Sequence, residues 1–124
     1  VGKTARFDSP RGMYFTKLVV AADKKFVDEK PETAKKFIRA LKEAQEFVKN
    51  NPEEARAIVT KRTGFDKEII GGIWKDFRFD VGISGQLLKN LQMEKEWAVE
   101  TGKLKDTGQV DFNSMMRYDI AEAN

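Results

Sequence analysis

The chain has 124 residues, of which 40% are hydrophobic and 35% are charged, a composition typical of one soluble globular domain. Its longest apolar run, residues 18–22, is far shorter than the ~20 residues of a membrane-spanning helix, so we expect no transmembrane segment. The net charge is +3, but the 23 basic residues are interleaved with 20 acidic ones, which argues against a nucleic-acid partner.

The first element that the sequence predicts is a single β-strand. Residues 1–12 combine glycine, proline and mixed charges and are typical of an irregular lead-in. Residues 13–22 are rich in aromatic and β-branched side chains, which predicts one buried strand. A strand cannot satisfy its backbone donors and acceptors alone. We therefore expect it to pair with a second copy of the chain or with a sheet contributed by residues N-terminal to this sequence.

Two consecutive amphipathic helices follow a short helical turn that Asp23 is expected to cap. Pro31 and Pro52 each suit the first position of a helix, where the missing N–H costs nothing. The first helix is predicted over residues 31–50, and the second ends at Gly64. The predicted apolar face of the first helix is formed by Ala34, Phe37, Ile38, Leu41, Ala44 and Val48. The second helix is expected to be capped by Asn51 and to bury Ala55, Ile58 and Val59.

A third helix is predicted after its capping residue Asp66. Its apolar stripe is formed by Ile69, Ile70, Ile73, Trp74 and Phe77. The Gly71-Gly72 pair within it favours the close approach of a neighbouring helix over a ligand-binding role. Residues 77–83 alternate in hydrophobicity, which predicts an extended segment but leaves open whether it joins a sheet or packs as coil.

The last predicted elements are one long helix and one short one. Ser84 is expected to cap the long helix, which runs to about Thr101 and is followed by Gly102. Its predicted buried residues are Leu87, Leu88, Leu91, Trp97 and Ala98. After a turn at residues 106–108, Asp111 opens a short helix that contains Phe112, Met115 and Met116.

The absent residue types limit the chemistry that this chain can perform. It contains no cysteine and no histidine, so it lacks thiolates, the commonest general base and the commonest metal ligand. Acidic pairs such as Glu94 and Glu96 lie two residues apart on a helix and point to diverging sides, which does not form a catalytic dyad. We therefore expect no enzyme activity, no metal site and no cofactor.

Taken in this order, the segments resemble the C-terminal part of periplasmic solute-binding proteins that serve ATP-binding-cassette (ABC) importers. The similarity is to the NMT1/THI5-like branch, which handles nitrate, sulfonates, taurine and thiamine-pyrimidine precursors. It covers roughly residues 13–116 and is carried by residues 15–20, 23–27, 29–32, 40–44, 51–55, 62–66, 97–104 and 110–112. The chain departs from the family pattern at Lys30, where asparagine is usual, and in residues 117–124, which have no counterpart.

The resemblance implies a fold that is mainly α with one N-terminal strand, the C-terminal fragment of a two-lobed α/β periplasmic binding protein of type II. Residues 1–12 would be a lead-in at the crossover between lobes. Residues 13–124 would be the returning strand plus the helical C-terminal part of the first lobe. The two lobes of such a protein close around their solute by hinge motion.

The function implied is that of the solute-binding component of an ABC importer, for a small anionic or organic sulfur or nitrogen compound. Its partners would be the solute, the transmembrane permease and the missing N-terminal part of the same protein. It would act in the periplasm or outside the cell, associated with the membrane through the importer. Arg11 and Tyr14 are the candidate ligand-binding residues. Arg11 would pair with an anionic group of the solute, and Tyr14 would offer a ring face and a hydroxyl. Trp74 and Trp97 are interpreted as packing residues.

Two alternatives stay open from the sequence. The chain could be a self-standing helical interaction module that forms a homodimer through its strand and binds no solute. The second alternative is an enzyme of the fungal pyrimidine-precursor synthase type, since such enzymes resemble the importers in architecture. The chain contains no histidine, which argues against this alternative.

Overall fold

The computed structural model describes residues 17–106 and 108–122, and this part of the chain is mainly helical. It contains six α-helices: α1 (Lys24–Glu29), α2 (Pro31–Asn50), α3 (Pro52–Thr63), α4 (Lys67–Ile73), α5 (Gly85–Glu100) and α6 (Tyr118–Ala121). Two 3₁₀ turns, Trp74–Asp76 and Phe112–Met115, follow α4 and precede α6.

The predicted strand over residues 13–22, and with it the α/β fold class, is wrong. No strand occurs among the described residues. Residues 17–22 have no regular secondary structure, and Leu18 is 98% exposed. A strand needs a neighbour that exchanges backbone hydrogen bonds with it, and the described residues provide none. Residues 13–16 lie outside the described part.

The chain divides into two compact units. The described residues of one unit are 22–83 and 117–122, which contain α1 to α4 and α6. The described residues of the other are 17–21 and 84–116 without 107, which contain α5. The lead-in predicted for residues 1–12 lies outside the described residues, and the assignment of residues 13–124 to one lobe stays a prediction.

Local signals in the sequence determine where the helices of the first unit begin and end. Asp23 Oδ1 accepts a hydrogen bond from the Phe26 N–H at 3.1 Å, which confirms the predicted cap of α1. Pro31 and Pro52 open α2 and α3 as predicted. Gly64 ends α3 with φ 71°, a left-handed conformation that glycine adopts without a side-chain clash.

The capping role predicted for the Asn51 side chain is wrong. Asn51 does lie at the N-cap position of α3, but its side chain caps no N–H of that helix. The Asn51 Nδ2 donates instead to the Phe47 carbonyl at 3.3 Å, and its backbone N–H bonds the same carbonyl at 2.8 Å. Asn51 thus closes the end of α2, so its side chain does not accept from the N–H groups in the first turn of α3.

Few side chains are buried in the described part of the chain. The buried apolar residues there are Val27, Ala55, Ile70 and Ile120. Ile58 and Ile69, which the sequence assigned to apolar stripes, are more than half exposed. Helical periodicity gives the apolar side of a helix, but burial also requires a neighbouring element that covers it.

The segment between α4 and α5 packs as coil, which answers the alternative left open for residues 77–83. The Val81 N–H donates to Gln45 Oε1 of α2 at 2.7 Å. The rings of Trp74 and Phe79 contact each other with centroids 5.1 Å apart. The close helix approach predicted at Gly71-Gly72 is wrong, because a Cβ at either position would meet nothing within 4 Å.

A charged cluster joins α1 to the N-terminal end of α6, in the tail that had no counterpart in the family pattern. The Arg117 guanidinium donates to Asp119 at 2.8 and 2.9 Å and to Asp28 Oδ1 at 2.8 Å. Lys24 also donates to Asp28. The pKa of Asp28 is lowered, chiefly by Lys24 and then by Arg117, and the pKa of Asp119 is lowered by Arg117.

Candidate functional site

The two residues predicted to contact a ligand, Arg11 and Tyr14, lie outside the described residues. Their role therefore stays a prediction. Within the described residues, no group of three or more acidic side chains is placed to hold a metal ion. No helix of the described part has the length and apolar character needed to cross a bilayer.

A hollow among the described residues lies on α5, a helix whose limits follow its local sequence. Ser84 Oγ accepts from the Leu87 N–H at 3.3 Å, which confirms the predicted cap. At the other end, the Thr101 N–H and hydroxyl both donate to the Trp97 carbonyl, at 3.0 and 2.7 Å. Gly102 follows with φ 69°, so the chain leaves the helix axis there.

The inner side of α5 carries one buried amide that sequence reasoning did not single out. Asn90 is 5% exposed, and its Oδ1 accepts from Gln86 Nε2 at 2.9 Å one turn earlier. The residues predicted to be buried on α5 are half-buried in the structure: Leu87, Leu88, Leu91 and Ala98. A buried amide costs free energy unless it is hydrogen-bonded, so the contact with Gln86 helps to fix this side of α5.

A half-open hollow of about 590 Å³ lies beside Met93, Glu94, Trp97 and Ala98. Met93 and Trp97 lie four residues apart, as do Glu94 and Ala98, so all four side chains share one face of α5. The volume falls within the range of about 300–1,000 Å³ that small-molecule sites occupy in proteins. Among the described lining residues, Glu94 carries a charge and the other three are apolar, a composition suited to a small organic molecule.

Trp97 is the largest side chain of this hollow. Its side chain is 55% exposed, so its interpretation as a packing residue is wrong. The Lys103 Nζ lies 5.5 Å from the centroid of its ring, within the range of a cation–π contact. The helix periodicity places Trp97 on the apolar side of α5, but only the fold shows that the ring stays more than half exposed with Lys103 beside it.

The loop after α5 is held by Lys95. Its ammonium donates to the Gly108 carbonyl and lies 3.7 Å from Asp106 Oδ1. Asp106 Oδ1 also accepts from the Gly108 N–H at 2.9 Å. The turn predicted at residues 106–108 includes residue 107, which lies outside the described residues, so it stays a prediction. The Lys95 side chain is 12% exposed, so this lysine supports the loop and does not face the solvent as Lys103 can.

The arrangement offers binding chemistry more readily than bond-breaking chemistry. An exposed indole supplies a flat apolar surface, while the Lys103 ammonium and the Glu94 carboxylate supply one charge of each sign. A planar or compact organic molecule with a polar group suits such a surface.

The comparison with protein families matches residues 2–55 with the family described as NMT1/THI5 like. The matched segment includes α1, α2 and the first turn of α3. It supports the resemblance found in the sequence over that part of the chain, while the resemblance of residues 56–116 stays a prediction. Comparisons with curated proteins and with solved structures found no match.

Proposed function

We propose that this chain takes part in capturing a small solute, as the solute-binding component of an ABC-type importer. The match of residues 2–55 to the NMT1/THI5-like family carries the proposal, because that resemblance suggests solute binding in a broad sense. The proposal concerns the role of the chain and does not depend on the α/β fold that the structure contradicts.

The hollow on α5 supports a binding role through its chemistry. It combines a volume suited to a small molecule with an exposed aromatic ring and a nearby ammonium group. An anionic group on a solute would be attracted to Lys103, while the apolar part of the same solute would lie on Trp97. Arg11 and Tyr14 remain candidates for further ligand contacts.

The finer features of the proposal come from the resemblance alone. The solute would be a small anionic or organic sulfur or nitrogen compound, and the protein would release it to a transmembrane permease. This role would be carried out in the periplasm or outside the cell and would involve no catalysis. Each of these statements extends the broad role by analogy with the family.

Isothermal titration calorimetry of the 124-residue chain against nitrate, taurine, an alkanesulfonate and an aminopyrimidine tests the proposal. We expect heat from at least one member of this panel. Trp97→Ala should weaken that binding about fivefold, since an aromatic contact contributes on the order of 1 kcal/mol. Arg11→Ala should weaken it as well if the predicted role is right. Phe65→Ala, at a ring that is 60% exposed and is not among the described residues that line the hollow, is the matched control.

The outcomes separate the parts of the proposal. Absence of heat with every compound would contradict solute binding by this chain. Binding that Trp97→Ala leaves unchanged would contradict the hollow as the site while leaving the broad role standing. The alternative of a strand-mediated dimer has no support in the described residues, which contain no strand.

A further inference from the structure

Met93 gives the hollow on α5 a side chain that can be chemically modified. The residue is 52% exposed, and it is one of the described residues that line the hollow. Peroxides oxidise the thioether of a methionine to a sulfoxide, and exposure decides how readily they reach it. Because the chain has no cysteine, its methionines are the side chains that a peroxide oxidises first.

The other methionines differ from Met93 in exposure or in position. Met115 is 65% exposed, but it is not among the described residues that line the hollow. Met116 is half-buried, and Met13 lies outside the described residues. Of the methionines that the structure describes, Met93 is therefore the one that combines exposure with a place in the lining.

The position of Met93 makes its side chain part of the surface that a solute would contact. Trp97 follows one turn later on the same face of α5, and its ring is 55% exposed. The chain beyond the helix is held by the Lys103 N–H, which donates to the Ala98 carbonyl at 2.8 Å. The Lys103 Nζ lies 5.5 Å from the centroid of the Trp97 ring. Met93 thus extends the apolar surface of the indole on the same helix face.

The oxidation of Met93 needs a peroxide and nothing else. The sulfur donates an electron pair to one oxygen of hydrogen peroxide, so that an S–O bond forms and the O–O bond breaks. The proton of the transferred oxygen passes to the departing oxygen, which leaves as water. The sulfur loses two electrons in this step. A dithiol reverses it with the help of a methionine sulfoxide reductase, forming a disulfide and water.

We propose that Met93 is an oxidation site, and that its conversion to the sulfoxide weakens binding in the hollow until a reductase reverses it. In the free protein the sulfoxide oxygen keeps its hydrogen bonds to water, because the residue is exposed, so α5 should stay folded. A solute that lies against Met93 removes this water, and a polar oxygen that loses its hydrogen bonds opposes binding. The consequence for binding rests on the proposed function, whereas the oxidation itself does not.

Peptide mass spectrometry of the full chain during exposure to hydrogen peroxide measures the modification without any solute. We expect the peptides with Met93 and Met115 to gain one oxygen before the peptide with Met116 does, because Met116 is half-buried. Circular dichroism should show the same helix content before and after treatment. A chain in which Met93 is oxidised more slowly than Met116 would overturn the proposal.

The dye anilinonaphthalenesulfonate serves as the binding probe, because it joins aromatic rings to one sulfonate. Trp74→Phe leaves Trp97 as the single indole, so energy transfer from Trp97 to the dye reports binding beside that ring. We expect peroxide to weaken dye binding about fivefold, which is equivalent to about 1 kcal/mol. A methionine sulfoxide reductase supplied with dithiothreitol should restore the original affinity.

Met93→Leu and Met115→Leu, in the same background, are the matched pair of variants. Leucine is close to methionine in volume and forms no sulfoxide. After peroxide, Met93→Leu should keep its affinity for the dye, whereas Met115→Leu should lose affinity as the parent does.

The outcomes separate this proposal from the proposed function. Equal sensitivity of the two variants, or a parent chain that binds the dye unchanged when Met93 is oxidised, would overturn the proposal and leave solute binding standing. Absence of energy transfer in the untreated chain would contradict the hollow as a binding surface and overturn this proposal with it. The calorimetric panel then decides the solute-binding role independently.

Discussion

Two short segments of this protein differ in how firmly the fold holds them. Residues 17–21 are among the most apolar of the chain, yet all five are exposed. Residues 117–121 contain an arginine and an aspartate, yet the last four of them form α6, which buries Ile120 to 6% exposure and packs against α2. The more polar segment is the better anchored one, because it has partners to contact.

The difference teaches that burial depends on matched neighbours more than on the hydrophobicity of a segment. Ile120 has a helix beside it, and Arg117 has Asp28 and Asp119 as acceptors. Leu18 is 98% exposed despite its apolar side chain. An apolar side chain stabilises the fold only when it packs against another surface, so that both are removed from water.

The largest expected effect comes from removing the buried side chain of the anchored segment. Ile120→Ala should lower the free energy of unfolding by about 2 kcal/mol, because it removes buried methyl groups and leaves a cavity. Leu18→Ala should change it by less than about 0.5 kcal/mol, because the side chain is already in water. Urea unfolding followed by circular dichroism measures both. Equal effects of the two substitutions would contradict the contrast between the segments.

A smaller effect is expected when the charged contacts of the anchored segment are removed. Arg117→Gln deletes the ion pairs with Asp28 and Asp119 but keeps Ile120. It should loosen α6 locally, and the effect should shrink at high salt because these groups are exposed. Hydrogen exchange of the Ile120 and Ala121 amides, which both donate to the Arg117 carbonyl, measures this loosening. Lys61→Gln, on the exposed side of α3, is a control that should leave the exchange unchanged.

The smallest expected effect is a dependence of stability on pH. The pKa values of Asp28 and Asp119 are lowered in the folded chain, so these carboxylates bind protons more readily when unfolded. Their contribution is therefore present above the unfolded pKa of about 4 and is lost as the pH falls through the lower folded values. Thermal unfolding between about pH 6 and pH 2.5 should show a steeper loss for the unaltered chain than for Arg117→Gln. Identical pH profiles would show that Arg117 does not stabilise the two carboxylates.

Helix limits were predictable from the sequence because they depend on neighbouring residues alone. Asp23 and Ser84 cap their helices, Pro31 opens α2 and Gly64 ends α3, as their types and positions indicated. Each of these residues acts within one turn of its own position. Asn51 is the exception, since its amide found an acceptor in the preceding helix.

Burial and the candidate site were predicted less well because they depend on distant parts of the chain. The periodicity of α5 placed Trp97 on an apolar side, but only the fold shows the ring exposed beside a hollow. The contact of Arg117 with Asp28 could not be predicted from neighbouring residues, since the two lie 89 residues apart. The run at residues 13–22 had the composition of a strand, but composition does not reveal whether a neighbouring strand exists.

The contact between α6 and α2 has a consequence for how the protein matures on the ribosome. The helices α1 to α4 follow one another and can assemble as each emerges, because their contacts join near neighbours in the sequence. The α2–α6 contact must wait until the whole stretch between them has been synthesised. Until then, the part of α2 that contacts α6 stays open to water and to chaperones, and such transiently exposed surface favours aggregation during synthesis.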